Sequence, residues 1–375
     1  MSLKVSLDRN STELLLRILL VWGRDLIDFA CIHGAIISSL NGPEGVSRPS
    51  LVDCGSGLIR VSNRGDEMAH WQVLATGLGF PEGPIACADG SLLVVEIEAG
   101  WITRVRPNRP VERVVETGGG PNGMAFGPDG MLYVCNNGGC LWREWNGMRL
   151  PHGTPDDYLG GSIQRVDLTS GRVEELYTSA GDVSLKGPND IVFDSKGGFW
   201  FTDNGKGTAR QKSVTGVFYA KTDGSLCREV IFPLDGPNGV ALSPDGRTLF
   251  VTETPPARLW AFDVIAPGEV ALAPGLRGMA GRLVYSTAGV AAYDSIAVEA
   301  CGNVCIATIG HAGITVVSPD GNLVEHVPTD DPFTTNIAFG GEDMSTAFVT
   351  LGGTGRLVTR PWPRPGLDLN NQPNA

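Results

Sequence analysis

Six copies of one short phrase recur through residues 80–350, and each begins with a polar residue. The fourth copy, PNGVALSPDGRTLFVTET, shows the unit: a strand, a tight Pro-Asp-Gly turn and a second strand. A ring of such repeats would gather the polar residues at one end of its central axis. The six residues are Glu82, Asn122, Asn189, Asn238, Asp294 and Asn336.

The spacing of the copies predicts an all-β fold, a six-bladed β-propeller. Successive polar residues lie about 40 or more residues apart, which is enough for four short strands per blade. The 51 glycines and 25 prolines suit short strands joined by tight turns. A β-sandwich would also accommodate such strands, but it gives no reason for the repeated polar residue.

Residues 1–65 precede the repeats and are predicted to form an N-terminal, partly helical extension and linker. Asn10 and Glu13 would cap a helix over about residues 12–32. We expect the propeller to occupy residues 66–361. A flexible tail rich in proline and asparagine would follow over residues 362–375.

The role of the extension stays open between three explanations. It is an amphipathic segment that docks or forms a homodimer, a vector-derived or upstream-translated sequence, or a membrane anchor. Charged residues interrupt its apolar segment and argue against the anchor.

The composition excludes some classes of partner. The net charge is −12 and no basic stripe is visible, which argues against nucleic acid. The eight cysteines have no metal-binding spacing and indicate small buried side chains in a reducing compartment. We therefore expect a cytoplasmic protein.

The six polar residues supply carboxylate and amide oxygens, without cysteine or histidine. Such donors favour Ca²⁺ or Mg²⁺, and Mn²⁺ or Zn²⁺ would also bind. The alternative is that these residues only cap turns, an explanation that suits Asn122 and Asn336. It suits Glu82 less well, because glutamate is a poor turn residue.

These motifs resemble those of the regucalcin/gluconolactonase/lactonohydrolase family, also called the senescence marker protein or SMP-30 family. The similarity covers about residues 75–360. The segments that carry it are Glu82-Gly83-Pro84, Asn189-Asp190 followed by IVFDSKGGFWFTD, Asn238-Gly239, Asp294-Ser295 and TTNIAFGGEDMSTAFVT.

The resemblance implies one divalent cation, Ca²⁺ first, at the mouth of the channel. It implies Glu82, Asn189, Asn238 and Asp294 as the ligands, with a contribution from Ser295. Asp294 would also be the catalytic carboxylate, as general base or as nucleophile.

Three further residues are candidates for contacting the substrate: Asn122, Trp142 and His311. Trp142 belongs to a long loop, residues 136–160, which would form either a hydrophobic wall or a packed surface. His311 would relay protons or would simply be an exposed loop residue.

The resulting hypothesis is a metal-dependent hydrolase that opens lactone rings, with a small-molecule lactone as its substrate. A phosphotriesterase of the diisopropyl fluorophosphatase type and a non-catalytic ligand-binding propeller are the alternatives. Sugar-lactone hydrolases of animals carry an arginine where this chain has Gly187. We therefore expect aliphatic or aromatic lactones to be better substrates than gluconolactone.

Overall fold

Six antiparallel sheets follow one another around a central channel in the computed structural model. The structure describes residues 71–208, 210–271 and 281–372, together with the backbone of four short strands before them. The chain divides into two units, Met1–Ala69 and His70–Ala375. The six sheets all belong to the second unit.

Each sheet is one blade, numbered here in chain order, and its first strand in the list below lines the channel. Blade 1 consists of Pro81–Ala86, Leu92–Glu96, Trp101–Val105 and Glu112–Glu116. Blade 2 consists of Pro121–Phe126, Leu132–Asn136, Ser162–Asp167 and Arg172–Tyr177. Blade 3 consists of Pro188–Phe193, Gly198–Asp203, Thr215–Lys221 and Cys227–Leu234.

Blade 4 has five strands, because on its outer side the third strand pairs with two further strands. Its strands are Pro237–Leu242, Thr248–Glu253, Arg258–Ala266, Glu269–Val270 and Arg282–Ser286. Blade 5 consists of Ala292–Val298, Val304–Ile309, Gly313–Val317 and Leu323–Pro328. Blade 6 consists of Thr334–Gly340, Thr346–Leu351, Arg356–Pro361 and Gln72–Ala75. The expected six-bladed propeller is confirmed.

The ring closes by pairing the two ends of the propeller. Gln72–Ala75, the first strand of this unit, adds to Arg356–Pro361 as the outer strand of blade 6. The innermost strands contact one another in cyclic order, and that of blade 6 meets that of blade 1. This closure removes the open sheet edge that a linear array of strands would expose.

Three two-stranded hairpins rise from the loops between blade strands: Trp142–Trp145 with Met148–Pro151, Ser179–Ala180 with Val183–Ser184, and Gly207–Thr208 with Gln211–Lys212. The core lies between the blades, where alternate residues of neighbouring sheets interdigitate. Trp200, Tyr133, Phe199 and Phe201 are among its fully buried side chains.

The first unit contains two hairpins among its described residues: Phe29–Ile32 with Ala35–Ser38, and Ser50–Asp53 with Leu58–Val61. The helix predicted through about residue 32 is therefore wrong at its end. Phenylalanine and isoleucine favour strands, and the segment that contains Phe29 and Ile32 pairs with Ala35–Ser38. The remainder of the predicted helix, residues 12–28, lies outside the described residues.

The described residues contain no α-helix, and so none that is long and apolar enough to cross a membrane. Beyond the last blade strand, Trp362 is buried and its indole nitrogen donates to Glu299 Oε1 over 2.8 Å. Asn370 Nδ2 donates to the carbonyl of Phe193 over 3.0 Å. Residues 362–372 of the segment predicted to be flexible thus have packing contacts at the end of the channel opposite the polar residues, and residues 373–375 lie outside the described residues.

Candidate active site

A register shift, which marks a bulge, lies beside the polar residue in the innermost strand of each blade. In blade 3 the register shifts between Pro188 and Ile191, and in blade 4 it shifts between Pro237 and Val240. Similar shifts occur in blades 1, 2 and 5, and in blade 6 the shift lies just before Asn336. A bulge bends its strand and re-aims the local side chain. The repeated phrase therefore encodes a bulge at one rim of the channel.

The glycine after the polar residue is required by the close approach of the next innermost strand. A Cβ on Gly123 would lie 2.6 Å from the carbonyl oxygen of Asn189, and one on Gly239 would lie 2.7 Å from the nitrogen of Ile296. Real Cβ contacts are not this short. The Pro-Asn-Gly phrase thus lets neighbouring strands converge around the channel.

A cleft of about 670 Å³ opens at this rim. Five of the six polar residues line it, although they come from five different blades: Glu82, Asn122, Asn189, Asn238 and Asp294. Each is at most 8% exposed. The ring geometry therefore brings together the residues that the repeats singled out.

Two amide oxygens in the cleft lack a partner. Asn189 Oδ1 and Asn238 Oδ1 are buried and accept no hydrogen bond within the described structure. The other end of the Asn238 amide is held in place, because its Nδ2 donates to Thr254 Oγ1 over 3.0 Å. A buried acceptor without a partner is costly. Both oxygens are of the type that a hard cation accepts as ligands.

The charged forms of the two cleft carboxyl groups, Glu82 and Asp294, are disfavoured in the structure. Burial raises the pKa of Glu82 to about 7, although hydrogen bonds from Asn336 and Gly83 oppose the shift. The pKa of Asp294 is raised well above its ordinary value, mainly by burial and secondly by repulsion from the Glu82 carboxylate. A divalent cation between them would favour both ionised forms.

A cation in the cleft would need oxygen ligands from both carboxylate and amide side chains. Among the described residues, no group of three or more histidine, cysteine, aspartate or glutamate side chains is arranged to hold a metal. Glu82 and Asp294 supply charge, and Asn189 and Asn238 supply neutral oxygens. Such a set leaves positions for water and for a substrate oxygen.

Asp190 is a buried carboxylate that the sequence analysis did not select. Its Oδ1 accepts a hydrogen bond from the nitrogen of Ile191 over 2.9 Å. Burial and then repulsion from Glu82 raise the pKa of Asp190 to about 7. The third copy signals it by reading Pro-Asn-Asp, where the second and fourth read Pro-Asn-Gly.

Two predicted residues lie beside the cleft rather than on its wall. Ser295 is buried and its side chain hydrogen-bonds to Asp190, so its predicted contribution to metal binding stays a prediction. Asn336 donates to Glu82 and orients that carboxylate.

The predicted substrate contacts are only partly brought together. Asn122 lines the cleft, whereas Trp142 packs beneath it against Phe80, with ring centroids 5.4 Å apart. His311 is exposed and away from the cleft wall, and its carbonyl accepts a hydrogen bond from His326 Nε2. The long loop does reach the cleft, but through other residues, including Leu141 and His152.

Gly187 has no room for a side chain. A Cβ there would lie 2.7 Å from the carbonyl oxygen of Gly205. The segment around Gly205 covers this position, and the next residue, Lys206, lines the cleft. The structure therefore places the ammonium group of Lys206 near Gly187, the position at which animal sugar-lactone hydrolases carry an arginine.

The sequence of the propeller matches a known family. Residues 80–353 match the profile of the SMP-30/gluconolactonase/LRE-like region. This stretch is well over half of the chain and contains the whole cleft set of five polar residues. The protein belongs to the SMP-30/gluconolactonase/LRE-like family.

Named relatives share this region. The lactonase drp35 of Staphylococcus saprophyticus is 30% identical over 250 residues, which is 66% of this chain and 68% of the relative. The gluconolactonase of Zymomonas mobilis is 24% identical over 303 residues, which is 74% of this chain and 78% of the relative.

Solved structures share the fold. A gluconolactonase of Xanthomonas campestris superposes with a TM-score of 0.61 at 24% identity, covering 78% of this chain and 89% of that one. The calcium-binding protein regucalcin of Agrobacterium tumefaciens gives a TM-score of 0.59 at 16% identity, covering 80% and 98%.

Proposed function

We propose that this protein is a divalent-metal-dependent hydrolase that opens lactone rings. The observation that carries the proposal is the cleft itself, which is lined by two buried carboxylates and by two buried amide oxygens that have no partner among the described residues. The names of the relatives, a lactonase and a gluconolactonase, agree with this chemistry.

The cation would be held by Glu82, Asn189, Asn238 and Asp294. Oxygen-only ligands favour Ca²⁺, with Mg²⁺, Mn²⁺ and Zn²⁺ as alternatives. When bound, such an ion supplies Lewis acidity, which polarises the carbonyl of an ester or lactone.

The residues of the chain provide the remaining chemistry. As a base, Asp294 would accept a proton from water as the water oxygen attacks the lactone carbonyl. It would then return that proton to the ring oxygen as the ring opens. As a nucleophile, Asp294 would attack the carbonyl itself, which breaks the bond to the ring oxygen and leaves that oxygen to take a proton from water. A water molecule would then hydrolyse the resulting anhydride and release the carboxylate. In both routes the carboxylate touches the reacting atoms.

The cleft walls orient the substrate and exclude water from one side. Phe80, Ile97, Leu141, Ile309 and Phe333 form the apolar part of the lining. A lactone ring packed against them would present its carbonyl toward the polar floor. Removing water there strengthens the electrostatic interactions that the carboxylates and amides make.

The proposal is tested by metal content and turnover together. Purified protein, dialysed with and without a chelator, is analysed for metals and assayed on five- and six-membered lactones with a pH indicator. Glu82→Gln should bind the cation more weakly. Asp294→Asn should lose several orders of magnitude in kcat, because its carboxylate has two roles.

Asp320→Asn is the matched control, since it removes an exposed carboxylate from an outer turn. It should behave as the wild type. Activity of Asp294→Asn within about tenfold of wild type at saturating metal would remove Asp294 from the mechanism. Unchanged metal affinity in Glu82→Gln would contradict the metal site.

A further inference from the structure

One wall of the cleft is cationic, and the lysines that make it come from a single loop. The lysine hairpin, residues 206–212, contains the paired strands Gly207–Thr208 and Gln211–Lys212. The nitrogen of Ser213 donates to the carbonyl of Lys206 over 2.8 Å and closes its base. Lys206 and Lys212, at its two ends, both line the cleft.

The ammonium of Lys206 is held in place by neutral groups only. Its Nζ donates to Asn137 Oδ1 over 3.0 Å and to the carbonyl of Gly139, and it lies 3.5 Å from Cys140 Sγ. Within the described residues, no carboxylate forms an ion pair with it. Burial lowers the pKa of this ammonium. A bound anion would therefore stabilise its charged form.

Lys212 stands at the other end of the hairpin without a hydrogen-bond partner among the described residues. Its ammonium lies beside Gly236, so close that a Cβ on that glycine would meet Nζ at 2.2 Å. The hairpin thus directs a second positive charge over the same cleft.

The charges of the cleft can be balanced group by group. Its charged lining consists of Glu82 and Asp294 on the floor and Lys206 and Lys212 on the wall. A divalent cation on the floor would offset the two carboxylates, and no other carboxylate of the described residues lines the cleft. The carboxylates that act on the lysines from outside the lining are Asp203 near Lys206, and Asp235 and Glu253 near Lys212. The overall charge of −12 opposes an incoming anion only weakly, because charges beyond about 8 Å are screened at physiological ionic strength.

We infer that the substrate carries an anionic group, a carboxylate or a phosphate, which Lys206 and Lys212 bind while the lactone carbonyl faces the metal floor. This inference rests on the proposed lactonase function and defines its substrate class. The apolar wall opposite the hairpin would hold the ring, and the lysine wall would hold the charge.

Matched substrates separate this charge effect from ring chemistry. The probes are γ-butyrolactone-γ-carboxylate and its carboxamide, which share the ring and differ in charge. Wild-type protein should show at least a tenfold higher kcat/KM for the carboxylate. Lys206→Met should reduce that ratio at least tenfold and Lys212→Met should reduce it less, because Lys212 is more exposed. Lys196→Met is the control, since Lys196 lies in a turn at the opposite end of the blade.

A binding measurement makes the test independent of turnover. Calorimetry in excess Ca²⁺ compares cyclopentanecarboxylate with cyclopentanecarboxamide, neither of which can react. The carboxylate should bind at least tenfold more tightly, and Lys206→Met should abolish the difference. If this variant does not fold, as judged by circular dichroism, Lys206→Gln replaces it, because the amide can still donate to Asn137.

The outcomes distinguish the two proposals. Equal hydrolysis and equal binding of charged and neutral probes would overturn the anionic substrate and leave the lactonase proposal standing. Lysine-dependent binding of the carboxylate without hydrolysis of any lactone would support the anion site and refute the lactonase proposal.

Discussion

Asn336 Nδ2 donates a hydrogen bond to Glu82 Oε2 over 2.8 Å, and so connects the last blade to the first. Glu82 Oε2 also accepts a hydrogen bond from the backbone nitrogen of Gly83 over 2.9 Å. The carboxylate proposed to bind metal is therefore oriented by a residue 254 positions away. The same contact therefore joins the two blades that meet where the ring closes and orients a carboxylate of the site.

We predict that Asn336→Ala weakens metal binding without removing a metal ligand. Loss of the hydrogen bond frees the Glu82 carboxylate, and partners that orient a ligand typically contribute 10- to 100-fold in affinity. Titration with Ca²⁺ measures the change. Asn322→Ala, in an exposed turn, is the control and should match the wild type. An affinity for Asn336→Ala within twofold of wild type would contradict the orienting role.

The chelator-treated protein should lose stability as the pH rises from 5 to 7. The folded-state pKa values of Glu82 and Asp190 are raised to about 7 from 4.5 and 3.8. The native state therefore binds more protons than the unfolded state in this range, so the free energy of unfolding falls with increasing pH.

Thermal unfolding at several pH values measures this trend. Excess Ca²⁺ should abolish it, and Asp190→Asn should reduce it, because the amide cannot ionise. A stability of the chelated wild type that is flat or rising between pH 5 and 7 would show that these carboxylates are not strained in the metal-free protein.

The propeller should fold without the first 65 residues, whereas removal of its closing strand should destabilise it. A chain shortened to begin at Asp66 retains Gln72–Ala75, which pairs with Arg356–Pro361. It should stay folded and active. A chain that begins at Gly77 lacks that strand and should unfold at a lower temperature. Size-exclusion chromatography of the chain that begins at Asp66 also tests whether residues 1–65 form a homodimer. If they do, this shortened chain should be a monomer.

Substrate preference should depend on Leu141 more than on Trp145. Leu141 lines the cleft, whereas Trp145 is half exposed outside it. Leu141→Ala removes apolar contact with a bound ring and should raise KM several-fold for aliphatic lactones. Trp145→Ala should leave KM unchanged. The reverse result would favour a hydrophobic wall formed by the tryptophans of the long loop, one of the two roles that the sequence left open for it.

Trp362 should stabilise the fold from outside the blades. Its side chain is 3% exposed, and its indole nitrogen donates to Glu299, which also accepts Arg364 Nε over 2.6 Å. Trp362→Ala should lower the free energy of unfolding by about 3–5 kcal/mol. Denaturant titration measures this, with Trp145→Ala as the exposed control. A change below about 1 kcal/mol would show that the tail does not pack as described.

The sequence by itself determined the architecture and most of the cleft floor. The repeated phrase carries local information, because a polar residue and a turn recur in each copy, and a glycine follows the polar residue in three of the six. Six such units allow one closed ring, and the ring places Glu82, Asn189, Asn238 and Asp294 together. None of these inferences requires knowledge of a side-chain contact.

Only the tertiary structure decided what surrounds that floor. Asp190 became a third buried carboxylate because the strand beside it carries Gly123 and leaves it room. Trp142 packs against Phe80, and Leu141 of the same loop lines the cleft in its place. Lys206 entered the cleft because a loop from one blade packs against Gly187. Such placements depend on packing between segments that are distant in sequence, which no local pattern records.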